Sequence, residues 1–242
     1  MTLQALSTLA AALAALAAPA GAQDARIAKQ DYQIDGGDSG IKLFVRAKAP
    51  EGKKAFGADD VVLFVHGATF PSTPDFDLQY KDYSWADQLV RRGYAVYMFD
   101  KRNYGGSTRE RAMDEPTANH PPLSRSYLVI CDIGAVVDHI RAKHRIDRVT
   151  LIGWSWGAMT AGYYASLHPE KVNRLVLYAP LYAYAEHTNL GAGSGLQNKS
   201  VLIKDATHFV LFEKNRQQLY DAVFQFLKEP ASTAAVGTAP AR

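Results

Sequence analysis

Apolar positions along this chain keep two rhythms, and the two alternate. Val61-Val62-Leu63-Phe64-Val65 and Tyr94 to Phe99 are unbroken apolar runs of strand length, as expected of parallel strands covered on both faces. Ile130, Ile133, Val137 and Ile140 recur at helical spacing, and the helix they predict leads up to another strand-like run, Val149-Thr150-Leu151-Ile152. Ala158 to Leu167 reads as a further helix stopping at His168-Pro169, and Arg174 to Tyr178 as a further strand. Val201 to Lys204 reads as a last, short strand. Leu219, Tyr220, Val223, Phe224 and Leu227 then mark one face of a closing helix. Before this series, Asp31 to Asp35 and Ile41 to Ala49 read as two strands joined through Gly36-Gly37-Asp38-Ser39-Gly40. Ser84 opens a helix with Asp87 in a capping-box position, and Gly93 closes it. Strands alternating with helices predict an α/β fold, a three-layer αβα sandwich around a mostly parallel sheet.

Length and charge narrow the picture. A chain of 242 residues suits one large α/β domain. Its 27 basic and 24 acidic side chains are scattered, which suggests neither a nucleic-acid groove nor a polybasic membrane patch. Cys131 is the single cysteine, so no intrachain disulfide forms, and its apolar helical setting predicts a buried small hydrophobe. Leu3 to Ala18 is an alanine- and leucine-rich run followed by Ala20-Gly21-Ala22, a pattern signal peptidase accepts. The expectation is a signal peptide over residues 1–22, a domain over 23–230 and a disordered tail over 231–242. The mature protein would then be secreted or periplasmic, without stable membrane insertion.

Chemistry centres on Gly153-Trp154-Ser155-Trp156-Gly157, which lies between a strand and a helix. That is the context of a nucleophile elbow, where a tight turn lifts the serine hydroxyl above the sheet. A serine hydroxyl needs a base at neutral pH. Of the seven histidines, His139 and His144 read as solvated surface and His168 as a helix cap. His208 follows the last expected strand, so its loop reaches the crevice at the carboxyl ends of the strands, as Ser155 does. Two backbone N–H groups are expected to hold the oxyanion, from Trp156 and from Ala68 after the His66-Gly67 strand. His66 itself reads as structural. Asp75 and Asp77 sit among prolines and read as loop rather than as a cation site, and no metal or cofactor motif appears. Trp154, Trp156, Phe70, Phe76, Tyr80 and Tyr182 are available to line an apolar pocket or to close the core.

Taken together, Val65-His66-Gly67, Asp100-Lys101-Arg102-Asn103-Tyr104-Gly105-Gly106-Ser107, the Gly-x-Ser-x-Gly segment, His168-Pro169-Glu170-Lys171 and Thr207-His208 resemble the α/β-hydrolase superfamily from about Ile41 to Leu227. The second of these is similar to the family's Asp-x-Arg-Gly-x-Gly-x-Ser loop, with Asn103 departing from it. The resemblance implies a chain order of Ser, then Asp or Glu, then His. Only Leu181 to Ser200 is available for the cap, strand and acid loop that the family usually carries there, and a βαβ unit alone takes about 30 residues. The chain therefore reads as lacking the cap and penultimate strand region. Glu186 respects the family order, Asp205 is closer to His208, and a third reading has no acid acting at all; Glu186 is placed ahead of Asp205. The expected function is a cofactor-independent serine hydrolase of carboxylic esters or related acyl compounds, working through an acyl-enzyme with Ser155, His208 and Glu186. The alternative is a low-activity or non-catalytic ligand-binding protein of the same fold.

Overall fold

The computed structural model describes residues 26–180 and 199–230. The expected signal peptide, Tyr182, Glu186 and the expected tail lie outside the described residues.

Among the described residues, six strands form one sheet in the order β1-β2-β4-β3-β5-β6: β1 (Ile27–Asp35), β2 (Lys42–Pro50), β3 (Val61–Val65), β4 (Ala95–Phe99), β5 (Val149–Trp154) and β6 (Val172–Tyr178). β1 and β2 run antiparallel at one side, and the remaining four are mutually parallel. The unbroken apolar runs mark the central strands because both faces of the sheet are covered. Val61, Leu63 and Val65 of β3 pack into one core with the helix α3 (Ser126–His144) and the helix α4 (Trp156–Leu167). Val62 and Phe64 pack into the opposite core with α1 (Ser72–Phe76), α2 (Trp85–Arg91) and α5 (Arg216–Lys228). The three-layer α/β sandwich expected from the sequence is the observed architecture.

Local chemistry sets several boundaries. Ser84 Oγ accepts the Asp87 N–H at 3.0 Å and caps α2. The Asp87 carboxylate pairs with buried Lys48 of β2, which also meets Asp77 at 2.6 Å. Asp77 takes Arg46 as well, at 3.0 Å, so the start of α2 is fastened to β2 by ionic contacts. Gly93, at φ +96°, ends the turn after α2 in a conformation L side chains rarely adopt.

Four expectations need correction. Val201 to Lys204 forms no strand. Leu202 is 84% exposed, and the Asn215 side chain binds the carbonyls of Lys204 and Asp205, so the segment is tied to the start of α5 instead of to a neighbouring strand. Asp75 does not lie in a plain loop, because Ser72–Phe76 closes into the short helix α1. Cys131 is exposed, since the buried stripe of α3 passes through Ile130, Ile133, Val137 and Ile140 and leaves the next position outside. His139 and His144 are half-buried and meet the hydroxyls of Tyr32 and Tyr97 at 3.1 and 2.7 Å. Among the described residues, no helix is long and apolar enough to cross a membrane.

Candidate active site

The turn between β5 and α4 carries the strain that its sequence implies. Ser155 sits at φ 57°, ψ −122°, a region that non-glycine residues rarely occupy and that persists only where surrounding structure enforces it. The Ser155 N–H donates to the Tyr178 carbonyl at 3.0 Å, and the Ser155 carbonyl accepts from Ala158 at 3.0 Å. Both sides of the strained residue are thereby fixed, one to β6 and one to the first turn of α4. Gly157 is required here. A Cβ on it would lie 2.0 Å from the Val65 carbonyl oxygen and 2.4 Å from that of His66.

That close approach brings the end of β3 against the serine. A Cβ built on Gly67 would lie 3.4 Å from Ser155 Cβ, so the following loop starts within van der Waals reach of the hydroxyl-bearing residue. Three successive carbonyls of this loop are occupied. The His66 carbonyl accepts from Lys101 Nζ at 2.5 Å, the Gly67 carbonyl from His66 Nδ1 at 2.8 Å, and the Ala68 carbonyl from the Tyr104 hydroxyl at 2.7 Å. Nε2 of His66 accepts the Lys101 N–H at 3.0 Å, which fixes the proton on Nδ1. Burial, reinforced by the nearby Lys101 charge, holds the His66 imidazole well below its ordinary range, so the ring is neutral and structural, as its sequence context suggested. Among the described residues, neither the Ala68 nor the Trp156 N–H meets an acceptor. Two such N–H groups, one in the loop beside Ser155 and one on the residue after it, are candidates for an oxyanion hole.

Asp100 organises the neighbouring loop. Its carboxylate accepts from the N–H and hydroxyl of Ser72 at 2.8 and 2.6 Å and from the Gly106 N–H at 2.9 Å. Arg102 forms a bidentate pair with buried Asp132 of α3, at 2.8 and 2.6 Å, and also meets Asp38. Asp75 is a residue whose importance the sequence reading missed. It is 1% exposed and neither carboxylate oxygen closes a well-formed hydrogen bond. Burial pushes its pKa up to about 8, outweighing the Gly67 backbone and the Lys101 charge, which favour ionisation. The available sequence signal was an acidic residue inside an otherwise apolar, proline-bounded segment.

The loop carrying His208 is anchored to the same place. The His208 carbonyl accepts from the Trp154 indole at 3.1 Å and from the Tyr178 hydroxyl at 2.9 Å, and the His208 and Trp154 rings lie 5.6 Å apart. His208 therefore packs beside the strand that carries Ser155, although no hydrogen bond joins the two side chains. No carboxylate among the described residues lies within ion-pair distance of its ring. Asp205 is exposed at φ 53° and serves as a turn residue, its carbonyl bound by Asn215. Glu213 accepts from the Thr207 hydroxyl and steadies the turn before His208. Of the aromatic residues weighed for a pocket, Phe76 and Trp154 are core, whereas Phe70 and Tyr80 are exposed by 44% and 56%.

Comparison with known proteins agrees with this architecture. Residues 60–202 match the model of the alpha/beta hydrolase fold family, and the chain belongs to that family. It is 30% identical over 125 residues to epoxide hydrolase 2 of Siraitia grosvenorii, covering 50% of this chain and 33% of the relative. A probable lipase of Schizosaccharomyces pombe is 25% identical over 166 residues, covering 67% of this chain and 35% of the relative. Among solved structures, epoxide hydrolase VrEH1 from Vigna radiata aligns with a TM-score of 0.43 at 23% identity, over 60% of this chain and 36% of that one. The chain thus spans about a third of the length of these hydrolases.

Proposed function

We propose that the protein is a serine hydrolase of carboxylic esters or related acyl compounds. The observation that carries this reading is the strained backbone of Ser155 at the β5–α4 turn, with the two acceptor-free N–H groups of Ala68 and Trp156 beside it. Ser155 Oγ attacks the acyl carbonyl carbon while His208 takes the hydroxyl proton. The resulting alkoxide is held by the Ala68 and Trp156 amides, and the leaving alkoxide departs with the proton from His208. Water, activated by the same imidazole, then releases the acid from the acyl-enzyme. His208 has to close on Ser155 when substrate binds, since catalytic hydrogen bonds often tighten only in the complex. In this reading the carboxylate that orients His208 is Glu186, and residues 1–22 direct export, which N-terminal sequencing of material recovered outside the cell would test.

The test of the chemistry is labelling with a fluorophosphonate probe. The wild-type chain should label stoichiometrically at Ser155, and Ser155→Ala should not label. Equal labelling of the two would overturn the reading. A second reading is favoured by one observation, the lack of a carboxylate at the His208 ring among the described residues. It holds that the fold binds acyl compounds and turns them over little. Losing the acid of such a triad costs about four orders of magnitude in turnover. Steady-state assays with activated short-chain aryl esters separate the two. Turnover that Ser155→Ala abolishes supports catalysis, and turnover indistinguishable from that variant supports binding.

A further inference from the structure

Lys101 is an unusual residue to find beneath an active-site loop. It is fully buried, in the Asp100–Ser107 loop that follows β4, at a position the family's motif leaves open. Burial holds its amine well below the ordinary lysine range, outweighing the nearby Asp75 and Asp132 carboxylates, so its hydrogen bonds rather than its charge define what it does. Its Nζ donates to the His66 carbonyl, and its own N–H donates to His66 Nε2. The same Nζ lies over the Trp156 ring, 4.1 Å from its centroid. His66 opens the loop that presents the Ala68 N–H, and Trp156 presents the other N–H. One side chain therefore touches both halves of the expected oxyanion hole.

The peptide geometry makes this contact consequential. A trans peptide points its N–H opposite to its C=O. Fixing the His66 carbonyl on Lys101 Nζ therefore aims the Gly67 N–H the other way and sets the peptide that leads into Ala68, while the Lys101 main-chain N–H, which a side-chain substitution leaves in place, holds the His66 ring on the Gly67 carbonyl. On the far side, the Trp156 ring packs under the Lys101 amine and donates its indole N–H to Ser126 at 3.4 Å. Nothing else described bridges the His66 backbone and the Trp156 ring in this way.

We infer that Lys101 is a positioning residue that holds the loop after β3 and the start of α4 in register, so that the Ala68 and Trp156 N–H groups converge on one oxygen. This rests on the serine-hydrolase reading for its catalytic consequence, though not for its structural one. Lys101→Met keeps the length of the side chain and removes the Nζ donor while leaving the main-chain N–H on His66. With an activated aryl ester, kcat should fall about 10- to 100-fold while KM changes less than about threefold, because the donors act on the transition state. In 15N relaxation measurements, the Ala68 and Thr69 amides should fall from the rigid range, about 0.85, toward about 0.6. Tyr104→Phe, which frees only the Ala68 carbonyl, should give a smaller loss in kcat.

A folded Lys101→Met chain with kcat and both order parameters unchanged overturns the inference. If the wild-type chain shows no Ser155-dependent turnover, the serine-hydrolase reading fails, and the order parameters alone decide the role of Lys101. If Lys101→Met does not fold, Trp156→Leu tests the bridge from its other end. Loosening of the Ala68 and Thr69 amides in that variant supports the bridge, and unchanged amides overturn it.

Discussion

Replacing Gly157 by alanine tests whether the close contact between α4 and β3 is what builds the site. The added Cβ would lie 2.0 Å from the Val65 carbonyl oxygen and 2.4 Å from that of His66, against a floor of 3.0 Å that real Cβ atoms respect. Relief needs a displacement of about 1 Å, and both obstructing atoms are backbone, so no rotamer change provides it. One of them ends β3, which is paired on both sides by β4 and β5. The strand resists, and α4 with Ser155 has to move. Overpacking a dense interior costs about 1–3 kcal/mol, and a backbone clash on two sides puts this case near the top of that range. In a domain of this size that corresponds to a fall in Tm of roughly 6–12 °C. A displacement of about 1 Å at reacting groups can cost about 100-fold in rate, so fluorophosphonate labelling of the variant should slow by about that factor. Gly162→Ala is the internal control. It lies in the same helix, its Cβ would meet only the Leu177 side chain, at 3.7 and 4.0 Å, and it should stabilise slightly through helix propensity. A Gly157→Ala chain whose Tm lies within about 2 °C of wild type and labels at the wild-type rate would refute the reasoning.

Two further outcomes follow from buried charges. Asp132→Ala removes the bidentate partner of buried Arg102 and should cost about 3 kcal/mol in urea unfolding, the lower end for a broken buried pair because Asp38 remains; a loss under about 1 kcal/mol would mean the pair is solvated. Asp75 has its carboxyl pushed up to about 8 in the folded state, above the unfolded value near about 3.9, so it favours the folded state at low pH and its contribution is lost as pH rises through that window. Asp75→Asn should therefore gain on the wild type by up to about 1.4 kcal/mol per pH unit between about pH 4 and 8; parallel stability curves for the two proteins would show that Asp75 ionises normally.

Much of the fold was legible because both cores are written into the same strands. The runs at β3, β4 and β5 announce two-faced burial, and the stripe of α3 announces one buried face. The strained turn at Ser155 was legible for a related reason: two glycines at fixed spacing between a strand and a helix leave few other backbone paths. What the sequence did not disclose depends on long-range partners. Val201 to Lys204 has strand composition, yet a strand needs a ladder partner, and Asn215 engages its carbonyls instead. The burial of Asp75 and Lys101 was not legible, because burial of an ionisable group beside the candidate site is decided by elements distant in the chain. The anchoring of the His208 loop was equally non-local, arriving through Trp154 and Tyr178 acting on its backbone.

The alternation along β3 has a consequence for how such a chain can change over time. Val61, Leu63 and Val65 belong to one core, Val62 and Phe64 to the other. A single-residue insertion or deletion within this strand would exchange the two sets, delivering aliphatic side chains shaped for α3 and α4 to the layer of aromatic residues around Trp85. It would also shift His66 and Gly67 by one step relative to Ser155. A point substitution within β3 acts on one core at a time, whereas a change of length disturbs both helical layers and the strained turn at Ser155 at once. Length variation should therefore collect in the connections, such as the irregular stretch from Glu110 to Arg125, and be absent from the central strands.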